Sequence, residues 1–86
     1  MEYKHRFKVL ECTYKNCSIN GNPKKHLLLL DNAGNVLHAD TATDALCGYL
    51  HYAPGKQYML TYHYTRKSGR MIIDYAEEDL TNENIN

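Results

Sequence analysis

The residues suited to meeting an anion fall into two groups. Lys15, Lys24 and Lys25 lie in or beside a stretch rich in Asn, Gly and Pro, while Arg66, Lys67 and Arg70 surround Ser68-Gly69. Cations grouped in this way neutralise phosphates and need no catalytic partner to do so. Tyr14 and Tyr64 stand beside the two groups. A phenol ring offers a face on which a nucleobase stacks, for about 1–3 kcal/mol. The chemistry expected of Lys15, Lys24, Lys25, Tyr14, Tyr64, Arg66, Lys67 and Arg70 is therefore recognition of single-stranded nucleic acid or a nucleotide-like anion.

Other reactive residues form less complete sets. Cys12-x4-Cys17 and Cys47-x3-His51 together would supply four zinc donors. Against zinc, a whole hairpin separates the two pairs, and Cys12 falls in a strand while Cys17 falls in a loop. The expectation is three reduced thiols, with no metal and no cofactor. Cys47 with His51, or His63 with Asp74, completes only part of a nucleophile, base and orienting group. His63 and Asp74 read more simply as a cross-strand charge pair. There is no Gly-rich phosphate loop, and the expectation is a protein that is not an enzyme.

Charge adds a division. Ten Lys and Arg balance ten Asp and Glu over 86 residues. Residues 1–73 carry all ten bases and five acids, a net +5, whereas residues 74–86 carry five acids and no base, a net −5. Eight Tyr with one Phe and no Trp place much of the aromatic content where a polar tip can reach water or a ligand. The longest aliphatic run is Leu27–Leu30, far below the ~18 residues of a membrane span. Met1–Arg6 has no apolar stretch, so no secretory leader and a cytoplasmic location are expected.

These residues need elements to hold them. Arg6–Tyr14 reads as a long strand whose apolar parity switches near Val9–Leu10, which predicts a β-bulge there. Leu27–Leu30 and Val36–Ala39 flank Asp31–Asn35 as a hairpin, with Gly34 supplying positive φ. Asp40–Tyr52 is the one helix expected, with Thr41 and Asp44 resembling a capping box. Gln57–Lys67 and Arg70–Ala76 form a last hairpin. A two-residue Ser68-Gly69 turn would place Tyr64 opposite Ile73, Tyr62 opposite Tyr75 and His63 opposite Asp74. Residues 1–76 make one domain, and 77–86 read as an acidic tail.

The resulting order, β1-β2-β3-α-β4-β5, is that of an OB-like five-stranded barrel. An SH3-like barrel, or an open antiparallel sheet with one packed helix, would give a similar string. In an OB-like barrel the β1–β2 and β4–β5 loops flank the ligand face, and both basic groups fall there. The leading functional expectation is thus a small nucleic-acid- or nucleotide-binding module. The competing one is an inhibitor or adaptor encoded by a phage or mobile element. It would meet a host protein through Tyr-rich and acidic surfaces, or pair with a second copy along an exposed strand edge.

Overall fold

Tyr3–Lys15 forms β1, and its pairing explains its length. Its first half, Tyr3 to Lys8, runs antiparallel to β4 (Gln57–Tyr64), and its second half, Lys8 to Lys15, runs antiparallel to β2 (Lys24–Leu30). The register slips by one residue between Val9 and Glu11, where the parity switch predicts a bulge. That extra residue keeps the apolar side chains inward as the strand changes partner. The computed structural model describes residues 1–15 and 21–79.

The β2–β3 hairpin follows the sequence closely. β3 spans Val36–Thr41, and Leu30 pairs with Val36. Asp31 organises the turn: its Oδ1 accepts the N–H groups of Ala33 and Asn35, and Gly34 sits at φ +88°. These backbone donors hold the Asp31 carboxyl below its ordinary pKa. A carboxyl depressed in the fold contributes stability above its unfolded pKa and loses it as pH falls through the folded one. Asp31→Asn is therefore expected to flatten the acid limb of a urea-midpoint-versus-pH curve below about pH 4.

β5 (Met71–Glu78) runs antiparallel to β4 and parallel to β3, which closes the barrel in the order β1-β2-β3-β5-β4. This is a mainly β, closed five-stranded OB-like barrel. The core consists of Phe7, Val9, Leu27, Leu29, Tyr58, Leu60, Met71 and Ile73, with Tyr52 and Cys47 closing one end. Ile73 is fully buried, and its carbonyl accepts both the Ala42 N–H and the Cys47 thiol. Ile73→Ala should cost about 2–5 kcal/mol, read as a lowered urea midpoint at unchanged m-value. Among the described residues no helix is long and apolar enough to cross a membrane.

Three expectations need correction. The helix over Asp40–Tyr52 is a single 3-10 turn, Leu46–Tyr49, preceded by an extended, uncapped Ala45. Thr41 does not cap it: the residue ends β3, and its buried hydroxyl accepts the Lys25 N–H instead. Second, the last turn is not Ser68-Gly69 alone. Thr65 and Arg70 close a four-residue loop, with the Gly69 N–H donating to the Thr65 carbonyl and Gly69 at φ +66°. Tyr64 consequently pairs with Met71 and Tyr62 with Ile73. Third, the register slips again past Tyr62, leaving Asp74 unpaired and placing Tyr75 opposite Thr61. Tyr75 is thereby turned outward, 56% exposed, rather than joining Tyr62 in the interior. His63 Nδ1 and Asp74 Oδ2 still meet at 2.7 Å, now on the diagonal.

β5 also continues through Glu78, two residues into the stretch read as a tail. Glu78 pairs with Lys56 at 3.0 Å, Asp79 pairs with Arg6, and the Asp79 N–H donates to the Gln57 carbonyl. The rest of that stretch, and Cys17, lie outside the described residues.

Candidate functional site

β2 and β3 carry the outward face. Leu27 and Leu29 point inward, so the alternation sends Lys24, His26 and Leu28 outward, and Leu37, Ala39 and Thr41 send His38 and Asp40 the same way. The register sets His26 opposite Asp40 and His38 opposite Leu28. Lys15, at the end of β1, pairs with Lys24. The parallel β3–β5 contact brings Met71 beside Ala39, which delivers Arg70 to the same place.

These residues surround a depression of about 150 Å³ lined by Lys15, His26, His38, Asp40 and Arg70. Asp40 anchors it. Its carboxylate accepts from His26 Nδ1 at 2.7 Å and attracts Arg70 Nη1 at 3.7 Å and Lys24 Nζ at 4.0 Å. The Asp40 side chain is nearly buried, whereas Arg70 is largely exposed. Lys15 makes no ion pair among the described residues. Three cations around one carboxylate leave a net positive mouth of phosphate size.

The two imidazoles form a relay. His26 Nε2 lies 3.0 Å from His38 Nδ1, with the rings stacked 5.2 Å apart. Asp40 can only accept, so a neutral His26 donates through Nδ1 and accepts at Nε2 from His38 Nδ1. His38 Nε2 is then an acceptor. With a second proton, on Nε2, His38 donates from both ring nitrogens, Nδ1 to His26 and Nε2 away from it. The relay was missed in the sequence because its members belong to two strands. The one available clue was His38-x-Asp40, two polar side chains on one strand face.

An aromatic hollow lies at the barrel end where β4 enters its turn. Tyr64 and Tyr3 are half exposed and pack edge-on at 5.8 Å, and Tyr3 stacks on Tyr62 at 5.5 Å. Tyr62 accepts or donates to His5 Nδ1 at 2.8 Å, and its burial raises its phenol pKa. The hollow holds about 400 Å³ between Tyr62, Tyr64, His5 and Phe7 and the Asp31–Ala33 turn. Tyr64 enters the β4–β5 turn and Arg70 leaves it, with exposed Arg66 and Lys67 between.

The anticipated residues thus divide. Lys15 and Arg70 converge on the Asp40 depression, and Lys24 approaches the Asp40 carboxylate from beside it. Arg66 and Lys67 ride the adjoining turn, and Tyr64 contributes to the hollow. Tyr14 is exposed at the end of β1, beside Lys15 in the chain. Lys25 is directed elsewhere: its ammonium donates to the Leu50 carbonyl at 2.7 Å and lies 5.9 Å over the Tyr52 ring. Among the described residues no group of three His, Cys, Asp or Glu is placed to hold a metal. Cys47 donates its thiol to the Ile73 carbonyl, and burial raises the pKa of both Cys47 and Cys12. Both thiols should therefore react slowly with iodoacetamide at neutral pH in the native protein and fast in urea, because the thiolate is the nucleophile.

The class of protein defined by this fold is an OB-like barrel with a basic face on β1, β2 and the β4–β5 turn. No protein-family model and no curated protein matches this sequence.

Proposed function

We propose that the chain is a non-enzymatic binding module for single-stranded nucleic acid or a nucleotide-like anion. The observation that carries this reading is the convergence of Lys15 and Arg70, from separate elements, on one phosphate-sized depression, with Lys24 Nζ 4.0 Å from the Asp40 carboxylate that lines it. The aromatic hollow lined by Tyr62 and Tyr64 supports it, because its volume suits a base rather than a phosphate. Loop-borne Arg66 and Lys67 add long-range attraction. A cytoplasmic setting accompanies the reading, since reduced thiols and nucleic acid occur together there.

The test is fluorescence anisotropy with a labelled single-stranded 12-mer at several salt concentrations. Saturable binding is expected, weakening as salt rises with a log–log slope near −0.7 per phosphate contact. The double variant Lys24→Glu/Arg70→Glu should lower affinity by about tenfold or more and reduce that slope by about one to two. Absence of saturable binding at low salt up to millimolar protein would end this reading.

A further inference from the structure

Past Ile73 the two neighbours of β5 part company. β4 continues to pair with it as far as Glu78, but β3 ends at Thr41, opposite Ile73. Along Asp74–Glu78 no strand among the described residues covers that second side. Asp79 donates its N–H to Gln57 and so faces β4, and strand alternation then turns the N–H and C=O of Ala76 and Glu78 to the open side. An unpaired edge of this kind is a template for another extended chain.

The space beside this edge is already shaped. A groove of about 640 Å³ runs between β5 and the 3-10 turn. Leu46, Tyr49 and Tyr75 border it, exposed by 75%, 63% and 56%. Large apolar side chains gathered at one exposed place mark an interaction surface. The charge of the groove selects the partner. Asp44 and Asp74 line it, and among the described residues no Lys, Arg or His does. Glu77 follows on the same strand and makes no ion pair among the described residues. A second copy fits poorly here: antiparallel pairing of two β5 edges would set Asp74, Glu77 and Glu78 of one copy against the same acids of the other, and facing like charges destabilise a ladder.

We infer that the Asp74–Glu78 edge and the adjoining groove bind an extended cationic peptide of alternating apolar and Lys or Arg residues. The peptide adds as a strand where β3 departs. Its backbone pairs with Ala76 and Glu78, its apolar side chains enter the groove against Leu46 and Tyr49, and its cations meet Asp44 and Glu77. This surface involves none of the residues of the anion site, and the inference does not rest on the nucleic-acid reading.

The experiment uses the full chain and a fluorescein-labelled Lys-Val-Lys-Val-Lys-Val-Lys peptide at about physiological ionic strength, where weak surface attraction is screened. Saturable binding is expected, and a peptide N-methylated at alternate amides should lose it, because only strand addition needs those N–H groups. Leu46→Glu and Asp44→Lys change exposed side chains and leave the fold intact, as circular dichroism checks. Each should weaken binding, Leu46→Glu by about tenfold, the effect of losing one apolar anchor. Amide NMR shifts should gather at residues 44–50 and 74–78. Equal binding of the N-methylated peptide, insensitivity to Leu46→Glu, or shifts gathered at Lys15 and Arg70 would overturn the inference. So would sedimentation showing a dimer that Leu46→Glu dissociates, which would assign the edge to a second copy.

Discussion

Asp40→Asn is expected to tighten oligonucleotide binding while weakening the fold. Among the described residues Asp40 is the single acid lining the basic depression, and Lys24, Arg70 and His26 all lean on it. An incoming phosphate competes with this carboxylate for the same cations. Removing its charge takes away a repulsion of about 1 kcal/mol, the size of a water-screened unit-charge interaction at about 4 Å, which corresponds to roughly fivefold in affinity. The amide oxygen of Asn still accepts from His26, but the ion pairs are lost, at a cost of about 1–2 kcal/mol in stability. Anisotropy and thermal melting on the same variant read the two effects with opposite signs. A loss of affinity in a folded Asp40→Asn protein would mean that Asp40 organises the cations rather than competes for them.

Gly48→Ala should be among the most damaging single-methyl changes in the chain. A Cβ at Gly48 would overlap the backbone carbonyl of Pro23 and would lie 3.4 Å from Thr41 Oγ1. Backbone cannot rotate aside as a long side chain can. The segment that carries Pro23 is also tied down: the Asn22 N–H donates to the Thr43 carbonyl, Asn22 Nδ2 donates to Ala45, and Lys25 bonds both Thr41 and Leu50. Overpacking at such a contact costs about 1–3 kcal/mol, and each kcal/mol lowers the Tm of a domain this size by roughly 4–8 °C. Pro23 immediately precedes Lys24, so the same variant should weaken oligonucleotide binding even at a temperature where it is fully folded. An unchanged Tm would show that the Asn22–Lys25 segment is not rigidly docked.

The sequence revealed those features whose cause is local. The parity switch at Val9–Leu10 exposed the bulge, because inward side chains must stay inward. Asp31 and Gly34 exposed the hairpin turn, because each does its work within five residues. Features that depend on register across strands stayed hidden. Thr41 resembles a helix cap until β2 is known to place the Lys25 N–H against its hydroxyl. Nothing around Gly48 in the sequence marks the close approach of Pro23. The bulge at Asp74 left no parity mark, since Ile72, Ile73 and Tyr75 are apolar on either side of it. The same limit applied to the site. Cationic loops were recognisable by composition, but His26, His38 and Asp40 become a unit only when two strands are laid side by side. Lys25, equally basic, is drawn off by a carbonyl 25 positions away.

The divided allegiance of β1 sets an order in time. Its second half pairs with β2, which follows closely in the chain, but its first half waits for β4: His5 and Tyr62 are 57 positions apart. During synthesis the β1-β2-β3 meander can assemble while Tyr3 to Phe7 remain without a neighbour. The parallel β3–β5 contact must wait longer still. A barrel closed by its most distant pairings folds on the slow side for its length, in about milliseconds to seconds. His5 and Phe7, which line the aromatic hollow, are thus made well before the strand that secures them. The nascent chain holds that hollow open to other contacts until the final hairpin arrives.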